Sequence, residues 1–304
     1  MNTRSLPLAW PLLILGLLFS AASCTQKPVA QLPTYRIGYM ICNNEEETLA
    51  RFQPLTTYLS TKLGVKFEAL AIDTVNFTKE IESVDFTHTN SLLSIMLNRY
   101  HGVETLAGDK RGRLLGHSKG MVVTLKKSGI TTIADLKGKT MIFGPMFAPT
   151  AFMSQIYALQ KQGFDIDNDL AFYTIPTGSF KHEKVIYGLT LGKFDAAAFP
   201  YYDYEIMVEQ GKINPEDYLV LAEGPAIPYC NFGVTQKVDE KLAQQFKKTL
   251  LAISESDMVE MENGERIRIL ERAQVDGFID INDKDFDIVR EMAKATNMPP
   301  YQEQ

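Results

Sequence analysis

The chain has 304 residues, of which 45% are hydrophobic and 22% are charged, so it is neither a disordered chain nor a protein of many membrane spans. Its 31 Lys and Arg residues stand against 37 Asp and Glu residues, and the net charge of −6 excludes the basic surface that binds nucleic acid or an anionic membrane. Three cysteines are too few for a disulfide scaffold or a four-thiolate zinc site.

The first 23 residues have the pattern of a secretory signal. Arg4 precedes an apolar run over 6–19 that is short for a transmembrane helix, and small residues follow over 21–23. Cys24 comes next, and the arrangement resembles the bacterial lipoprotein signal, in which the cysteine becomes the lipidated first residue. We therefore expect 1–23 to be a lipoprotein signal peptide, Cys24 to carry the lipid, and 24–33 to be a tether. An ordinary cleaved signal is the alternative.

Short β-rich runs alternate with helical patterns along the rest of the chain, which is typical of an α/β protein. A strand is predicted over 35–41, and a helix follows because Leu49, Phe52 and Leu55 recur at helical spacing before Gly64. Further strands are predicted over 65–71, 84–89, 121–125, 140–143 and 194–199, with helices over 150–162 and 182–191. After Lys237 helices dominate, over 242–251, 267–270 and 286–295.

Several short motifs in the middle of the chain carry a resemblance to a known family. They are Ser128-Gly129-Ile130, Asp135-Leu136-Lys137-Gly138-Lys139, Phe143-Gly144-Pro145, and His182 followed by Gly192-Lys193-Phe194-Asp195-Ala196. Upstream, Arg51-Phe52-Gln53-Pro54-Leu55 and Asp85 fit the same pattern. In their order and spacing, over 35–251, these motifs resemble the phosphate/phosphite/phosphonate class of ABC-transporter substrate-binding proteins.

The resemblance implies an α/β fold of the two-lobed periplasmic binding protein type (type II-like), with the ligand in a cleft between the lobes. It places 34–120 with 231–304 in lobe 1 and 121–230 in lobe 2. The implied function is capture of a small oxyanion by lobe closure and its delivery to an ABC permease in the inner membrane, without catalysis, cofactor or metal. We expect a monomer on the periplasmic side of the cell envelope, held to the membrane by its lipid.

In the family, a hydroxyl-rich run at a helix N-terminus grips the phosphonate oxygens. Here Phe147, Ala148 and Pro149 stand in place of three hydroxyls. Thr150 remains, and the amides of Thr150 and Ala151 are expected at a helix start, where the helix dipole favours an anion.

Other candidate ligand contacts lie on either side of this segment. His182 matches the family's ligand-facing histidine, and Thr89 falls where the family has a ligand-contacting tyrosine. Alternation along the strand puts His88 and Asn90 on the face opposite Thr89. So polar a strand end is unusual in a buried sheet and indicates a site, with a hydrogen-bonded edge as the alternative.

Cys230 and Asn231 fall where the family has an acidic residue that meets an amino group of the ligand. A ligand with an amino group would therefore find no acidic partner at this position. Cys42 ends the first predicted strand, and three alternatives stay open for Cys42 and Cys230. They are unrelated buried thiols, a disulfide, or, with His182 or His88, a soft site for a metal or a thiophilic oxyanion such as arsenite.

Two other functions are alternatives to transport. In the first, the same closed lobes signal to a sensor kinase or chemoreceptor. In the second, Cys42 or Cys230 acts as a nucleophile with His182 as base, but neither cysteine lies in a nucleophile motif, so no enzyme is predicted. The aromatic run over 201–204 either lines the cleft or packs on its lobe.

Overall fold

The computed structural model describes residues 32–178 and 180–302, together with Met1. The predicted signal peptide, Cys24 and most of the tether lie outside the described residues. Within the described part of the chain, none of the helices combines the length and the apolarity that crossing a bilayer requires.

The strands of the described residues form two main sheets and two short pairs. In chain order they are β1 (Thr34–Met40), β2 (Lys66–Ile72), β3 (Phe86–Thr89), β4 (Glu104–Lys110), β5 (His117–Ser118), β6 (Gly120–Leu125), β7 (Thr140–Phe143), β8 (Phe172–Thr174), β9 (Ala196–Pro200), β10 (Tyr218–Glu223), β11 (Ile227–Pro228), β12 (Asn231–Val234), β13 (Met258–Glu260), β14 (Arg266–Arg268) and β15 (Gly277–Ile279). The first sheet has the order β15-β4-β12-β3-β1-β2 and the second β10-β6-β9-β7-β8.

Helices cover both sheets. In chain order they are α1 (Glu45–Leu63), α2 (Phe77–Glu80), α3 (Ser91–His101), α4 (Met153–Gln160), α5 (Ile166–Asp169), α6 (Lys181–Thr190), α7 (Tyr201–Glu209), α8 (Glu240–Leu251), α9 (Ile269–Ala273) and α10 (Asp287–Ala295). The first helix begins where the Asn44 side chain accepts a bond from the Glu47 amide, and it ends at Gly64, whose φ of +66° suits a glycine. Gly64 was the predicted end of this helix.

Two predicted helices differ from the structure. The helix predicted to start at Thr150 starts at Met153, because residues 146–152 form turns. The short helix predicted over 267–270 is wrong in its first half. Arg266–Arg268 is strand β14, paired antiparallel with β13, and α9 begins only at Ile269. The ladder with β13 is a non-local contact that apolar spacing along one segment does not reveal.

The direction of the strands decides which loops meet. Strands β1 and β3 are parallel, and β12 runs antiparallel to both β3 and β4, so β1, β3 and β4 point the same way. The residues that follow these three strands therefore lie at one edge of the first sheet, together with the residue that precedes β12. Cys42, Asn90, Arg111 and Cys230 are brought to this edge.

The chain crosses between the sheets twice, and the two crossings are paired. It leaves the first sheet after β4, enters the second with β6, and returns between β10 and β12. On the crossings, β5 pairs antiparallel with β11, with Ser118 opposite Ile227. Each lobe thus forms around one sheet, and the first lobe is the one around the first sheet. In its core the rings of Phe86 and Phe246 stack with their centroids 4.2 Å apart.

Candidate ligand-binding site

A cavity of about 410 Å³ lies between the two lobes, a volume suited to a small ligand. Its lining from the first lobe includes the loop after β1 and the first turns of α1, and its lining from the second includes α6 and α7. Polar and charged side chains come from both sides, among them Cys42, Arg51, Arg111, His182, Tyr202 and Asp203.

Arg111 follows β4 and lies almost completely buried in the cavity wall, with 7% of its surface exposed. Its Nη1 donates to the Tyr229 hydroxyl at 3.2 Å, and the rings of Tyr202 and Tyr229 lie 5.3 and 5.2 Å from the guanidinium carbon. Its Nε has no hydrogen-bond partner, and none of the ion pairs among the described residues includes Arg111. A buried positive charge in this state favours an anion as its missing partner.

Arg51 lies in α1 and, like Arg111, lines the cavity. Its Nε donates to the carbonyl of Ala273 at 2.7 Å, and Nη2 of Arg111 donates to that same carbonyl at 3.4 Å. Ala273 is the last residue of α9, so the negative end of this helix faces both guanidinium groups.

His182 comes from the opposite lobe, in the first turn of α6. It lines the cavity, and its Nδ1 is buried without a hydrogen-bond partner. Of the eight predicted binding residues, it is the one that the structure places in the wall of this cavity among the described residues. Its contact with the ligand remains a prediction.

Cys42 lines the cavity, whereas Cys230 lies behind the wall, and both are free thiols rather than a disulfide. Desolvation by the surrounding protein raises the pKa of the Cys42 thiol, although the thiol lines the cavity, and the charge of Arg111 opposes this effect. Burial raises the pKa of Cys230 well above its usual value. Both groups are therefore neutral thiols near pH 7. The described residues contain no group of three or more His, Cys, Asp or Glu side chains placed to hold a metal ion.

Thr89 and Asn231 lie behind the cavity in a closed hydrogen-bond network. The hydroxyl of Ser94 bonds to the Thr89 hydroxyl at 3.0 Å and to the Asn231 side-chain oxygen at 2.9 Å. The Asn231 amide donates to the Thr89 carbonyl at 3.2 Å. These polar groups satisfy one another, which corresponds to the hydrogen-bonded alternative for the polar strand end.

Asn90 joins the lobes. Its side-chain oxygen caps α3 by accepting from the Leu93 amide at 2.9 Å, and its Nδ2 donates to the carbonyl of Phe147 in the second lobe at 2.9 Å. Both ends of this side chain are thus engaged with the protein.

His88 is also internal. Its Nε2 lies 3.2 and 3.1 Å from the two carboxylate oxygens of Asp109, and the side chains are 5% and 1% exposed. The ring packs against Phe52 and Phe232, with centroids 4.6 Å away in each case. The pair supports the floor beneath Phe52, which lines the cavity.

The segment that replaces the hydroxyl-rich run uses its amides internally. Thr150 and Ala151 are buried, and the amides of Ala151 and Phe152 both donate to the carbonyl of Ala148, at 2.9 and 3.2 Å. The expected helix start at Thr150 is absent, since α4 begins three residues later. The Ala151 amide, one of the two predicted donors, is therefore not free at a helix N-terminus.

Arg51 and Arg111 line the cavity and were not among the predicted binding residues. For Arg111, the sequence pattern predicts no strand over 104–110. Without that strand, the sequence offers no reason to expect Arg111 beside the ends of the other strands. The signal that would have found it is a charged residue directly after a strand and before Gly112, whose φ is +53°.

A sequence profile of the family described as "ABC transporter, phosphonate, periplasmic substrate-binding protein" matches residues 37–286. Among solved structures, PhnD1 from Prochlorococcus marinus in complex with methylphosphonate superposes with a TM-score of 0.68 at 16% identity, over 87% of this chain and 98% of that one. A binding protein component of an ABC phosphonate transporter from Pseudomonas aeruginosa gives 0.66 at 14% identity, over 88% and 87%. The predicted two-lobed fold is confirmed.

Among curated proteins, the tetrathionate sensor histidine kinase TtrS of Salmonella typhimurium is 27% identical over 234 residues. The match covers 71% of this chain and 39% of the kinase, so the chain corresponds to about two fifths of that relative's length.

Proposed function

The chain belongs to the phosphonate-binding family of ABC-transporter periplasmic substrate-binding proteins, and from this premise we propose that it captures a small oxyanion in the cavity between its lobes. The ligand contacts both lobes and so favours the closed arrangement over the open one. The closed protein then presents its ligand to an ABC permease in the inner membrane.

The observation that carries the proposal is the state of Arg111. Its charge is buried in the cavity wall without an ion pair, and its Nε has no partner. An oxyanion offers acceptor oxygens to the guanidinium fork and neutralises its charge. His182, also with an orphaned ring nitrogen, supports a contact from the opposite lobe.

The ligand is a separate question from the binding mode. Phe147, Ala148 and Pro149 remove the hydroxyls that hold phosphonate oxygens in the family. We propose that the ligand is a phosphate-, phosphite- or phosphonate-like oxyanion. Because the hydroxyls are missing, we propose that guanidinium and imidazole groups hold it in their place.

A thermal-shift screen of the purified chain tests this proposal. The panel is phosphate, phosphite, methylphosphonate, sulfate, arsenite, tetrathionate and acetate. A ligand at 100 times its Kd stabilises the folded state by about 2.7 kcal/mol, which raises Tm by several degrees for a chain of this size. No rise with any member at millimolar concentration would contradict the proposal.

We further propose that the protein is a monomer anchored at Cys24 on the periplasmic side of the envelope, with 24–33 as its tether. The lobe boundaries are placed at the paired crossings, giving 34–120 with 231–304 and 121–230. Metabolic labelling with radioactive palmitate is expected to label the wild-type protein and not the Cys24→Ser variant. A wild-type protein that takes up no label would contradict lipid anchoring.

A second candidate function keeps the binding site and changes the output to sensing. The match to TtrS over 71% of the chain supports it, as does the thiol of Cys42 in the cavity, which suits a thiophilic oxyanion. Under this alternative, Cys42→Ser weakens binding of tetrathionate or arsenite and leaves phosphate binding unchanged. Co-purification with a permease and ATPase, or with a sensor kinase, separates transport from sensing.

A further inference from the structure

Arg51 and Arg111 converge on a single carbonyl oxygen, although they come from different elements of the first lobe. Nε of Arg51 and Nη2 of Arg111 lie 2.7 and 3.4 Å from the oxygen of Ala273. Two guanidinium groups that share one acceptor lie close enough to repel each other, and one neutral carbonyl does not cancel two charges.

No carboxylate of the described residues offsets this repulsion by pairing with either arginine. Glu47, Glu183 and Asp203 also line the cavity, but none forms an ion pair with Arg51 or Arg111. The Glu47 carboxylate instead accepts from the Asn43 amide at 3.2 Å. The wall formed by the two arginines is therefore locally doubly positive, while the rest of the lining carries three carboxylates and one further cation, Lys212.

We infer that Arg51 and Arg111 form a two-guanidinium site for a doubly charged oxyanion head group, of the sulfate or phosphate class. This inference rests on the proposed function and specifies the charge of its ligand. A monoanion neutralises one of the two charges and leaves the other without a partner. A dianion neutralises both, and its oxygens can accept from two planar forks at once.

Sulfate and methanesulfonate are the probes that test the inference. Both are tetrahedral sulfur oxyanions, and near pH 7 the first carries two charges and the second carries one. Their Kd values are measured by calorimetry at equal ionic strength. The wild-type protein is expected to bind sulfate about tenfold or more tightly than methanesulfonate, the difference made by one additional charged hydrogen-bonding partner.

Arg51→Gln is expected to reduce this preference to about threefold or less, by weakening sulfate binding while methanesulfonate binding changes little. Arg51→Lys restores the charge without the fork and is expected to recover part of the preference. Arg36→Gln is the matched control, because Arg36 is exposed on β1 and does not line the cavity. Circular dichroism of each variant checks that it is folded.

Equal Kd values for the two probes in the wild-type protein would overturn the dianion site, as would an Arg51→Gln variant that weakens both probes equally. So would a panel ligand that binds as a monoanion while sulfate does not bind. In each of these cases the proposed function still stands. The failure of every panel member to bind overturns the proposed function itself.

Discussion

The backbone N–H of Phe180 donates a hydrogen bond of 3.1 Å to the side-chain oxygen of Asn43, and this bond joins the two lobes at the wall of the cavity. Phe180 has a φ of +54°, in the left-handed region that costs a residue with a Cβ about 1 kcal/mol. The bond to Asn43 offsets part of this cost only while the lobes are together. If the lobes close as proposed, the bond stabilises the closed arrangement.

Replacing Asn43 by Ala is expected to raise the Kd of an oxyanion ligand roughly threefold to tenfold, because one hydrogen bond of the closed state is lost. Calorimetry gives the Kd, and stopped-flow dissociation should show that the change lies in a faster release. Asn263→Ala is the control, since Asn263 lies in an exposed turn away from the cavity. An unchanged Kd in the Asn43 variant would mean that this bond does not act on closure.

Arg111→Met should have opposite effects on binding and on stability. Ligand binding is lost with the guanidinium, whereas the ligand-free protein gains about 1–3 kcal/mol of unfolding free energy, because a buried charge without a counter-ion is removed. Urea unfolding with and without ligand measures both effects. Arg36→Met, at an exposed position, is expected to change neither. A ligand-free Arg111 variant that is less stable than wild type contradicts the view that this charge, without a counter-ion, destabilises the ligand-free protein.

The buried pair of His88 and Asp109 supports the first lobe rather than the ligand. Asp109→Leu is expected to cost about 3–5 kcal/mol of unfolding free energy, because it leaves the buried imidazole without its partner. Asp109→Asn keeps an acceptor oxygen and should cost less. Urea unfolding distinguishes the two variants. A cost below about 1 kcal/mol for the Leu variant would count against this role.

The contact between Tyr58 and Asp257 predicts how stability depends on pH. The Ser254 amide and hydroxyl hold the pKa of Asp257 below its usual range, and burial, followed by the charge of Asp257, raises the pKa of Tyr58 to about 12. The stability that Asp257 contributes is present above its unfolded pKa of about 4 and is lost as the pH falls through the lower folded value. That of Tyr58 is present below about pH 10 and is lost as the pH rises towards 12.

Urea midpoints measured across these two pH ranges check the signs. Asp257→Asn should reduce the loss of stability at acid pH, so that the urea midpoint falls less steeply there. Tyr58→Phe should reduce the loss at alkaline pH in the same way. Tyr100→Phe is the control, because the Tyr100 ring is exposed. Identical pH profiles for the Tyr58 variant and wild type would show that this contact does not couple to unfolding.

Local sequence signals predicted much of the fold. Gly64 ends α1 as predicted, and the runs at 121–125 and 140–143 coincide with β6 and β7 to within a residue. Such signals succeed because caps, glycines with positive φ and alternating burial depend on neighbouring residues. Strand β14 was missed because its pairing partner, β13, lies in another segment.

The site was harder to predict than the fold, for a physical reason. Asn90 and Thr89 have the polar side chains expected of a binding site, yet an N-cap and a bond to Ser94 use those same groups. Sequence alone does not show whether a polar group is satisfied internally. Arg51 and Arg111 are 60 positions apart, and they meet at the carbonyl of Ala273, which lies much further along the chain.

The antiparallel pair of β5 and β11 has a mechanical consequence. Because the two crossings are hydrogen-bonded to each other, they are expected to move together. The paired strands then act as one hinge, which restricts the lobes to rotation about a single axis. Rotation about one axis leaves the halves a single path along which to approach. Ligands of different size would then halt the rotation at different closure angles. A membrane partner would need to recognise only that angle.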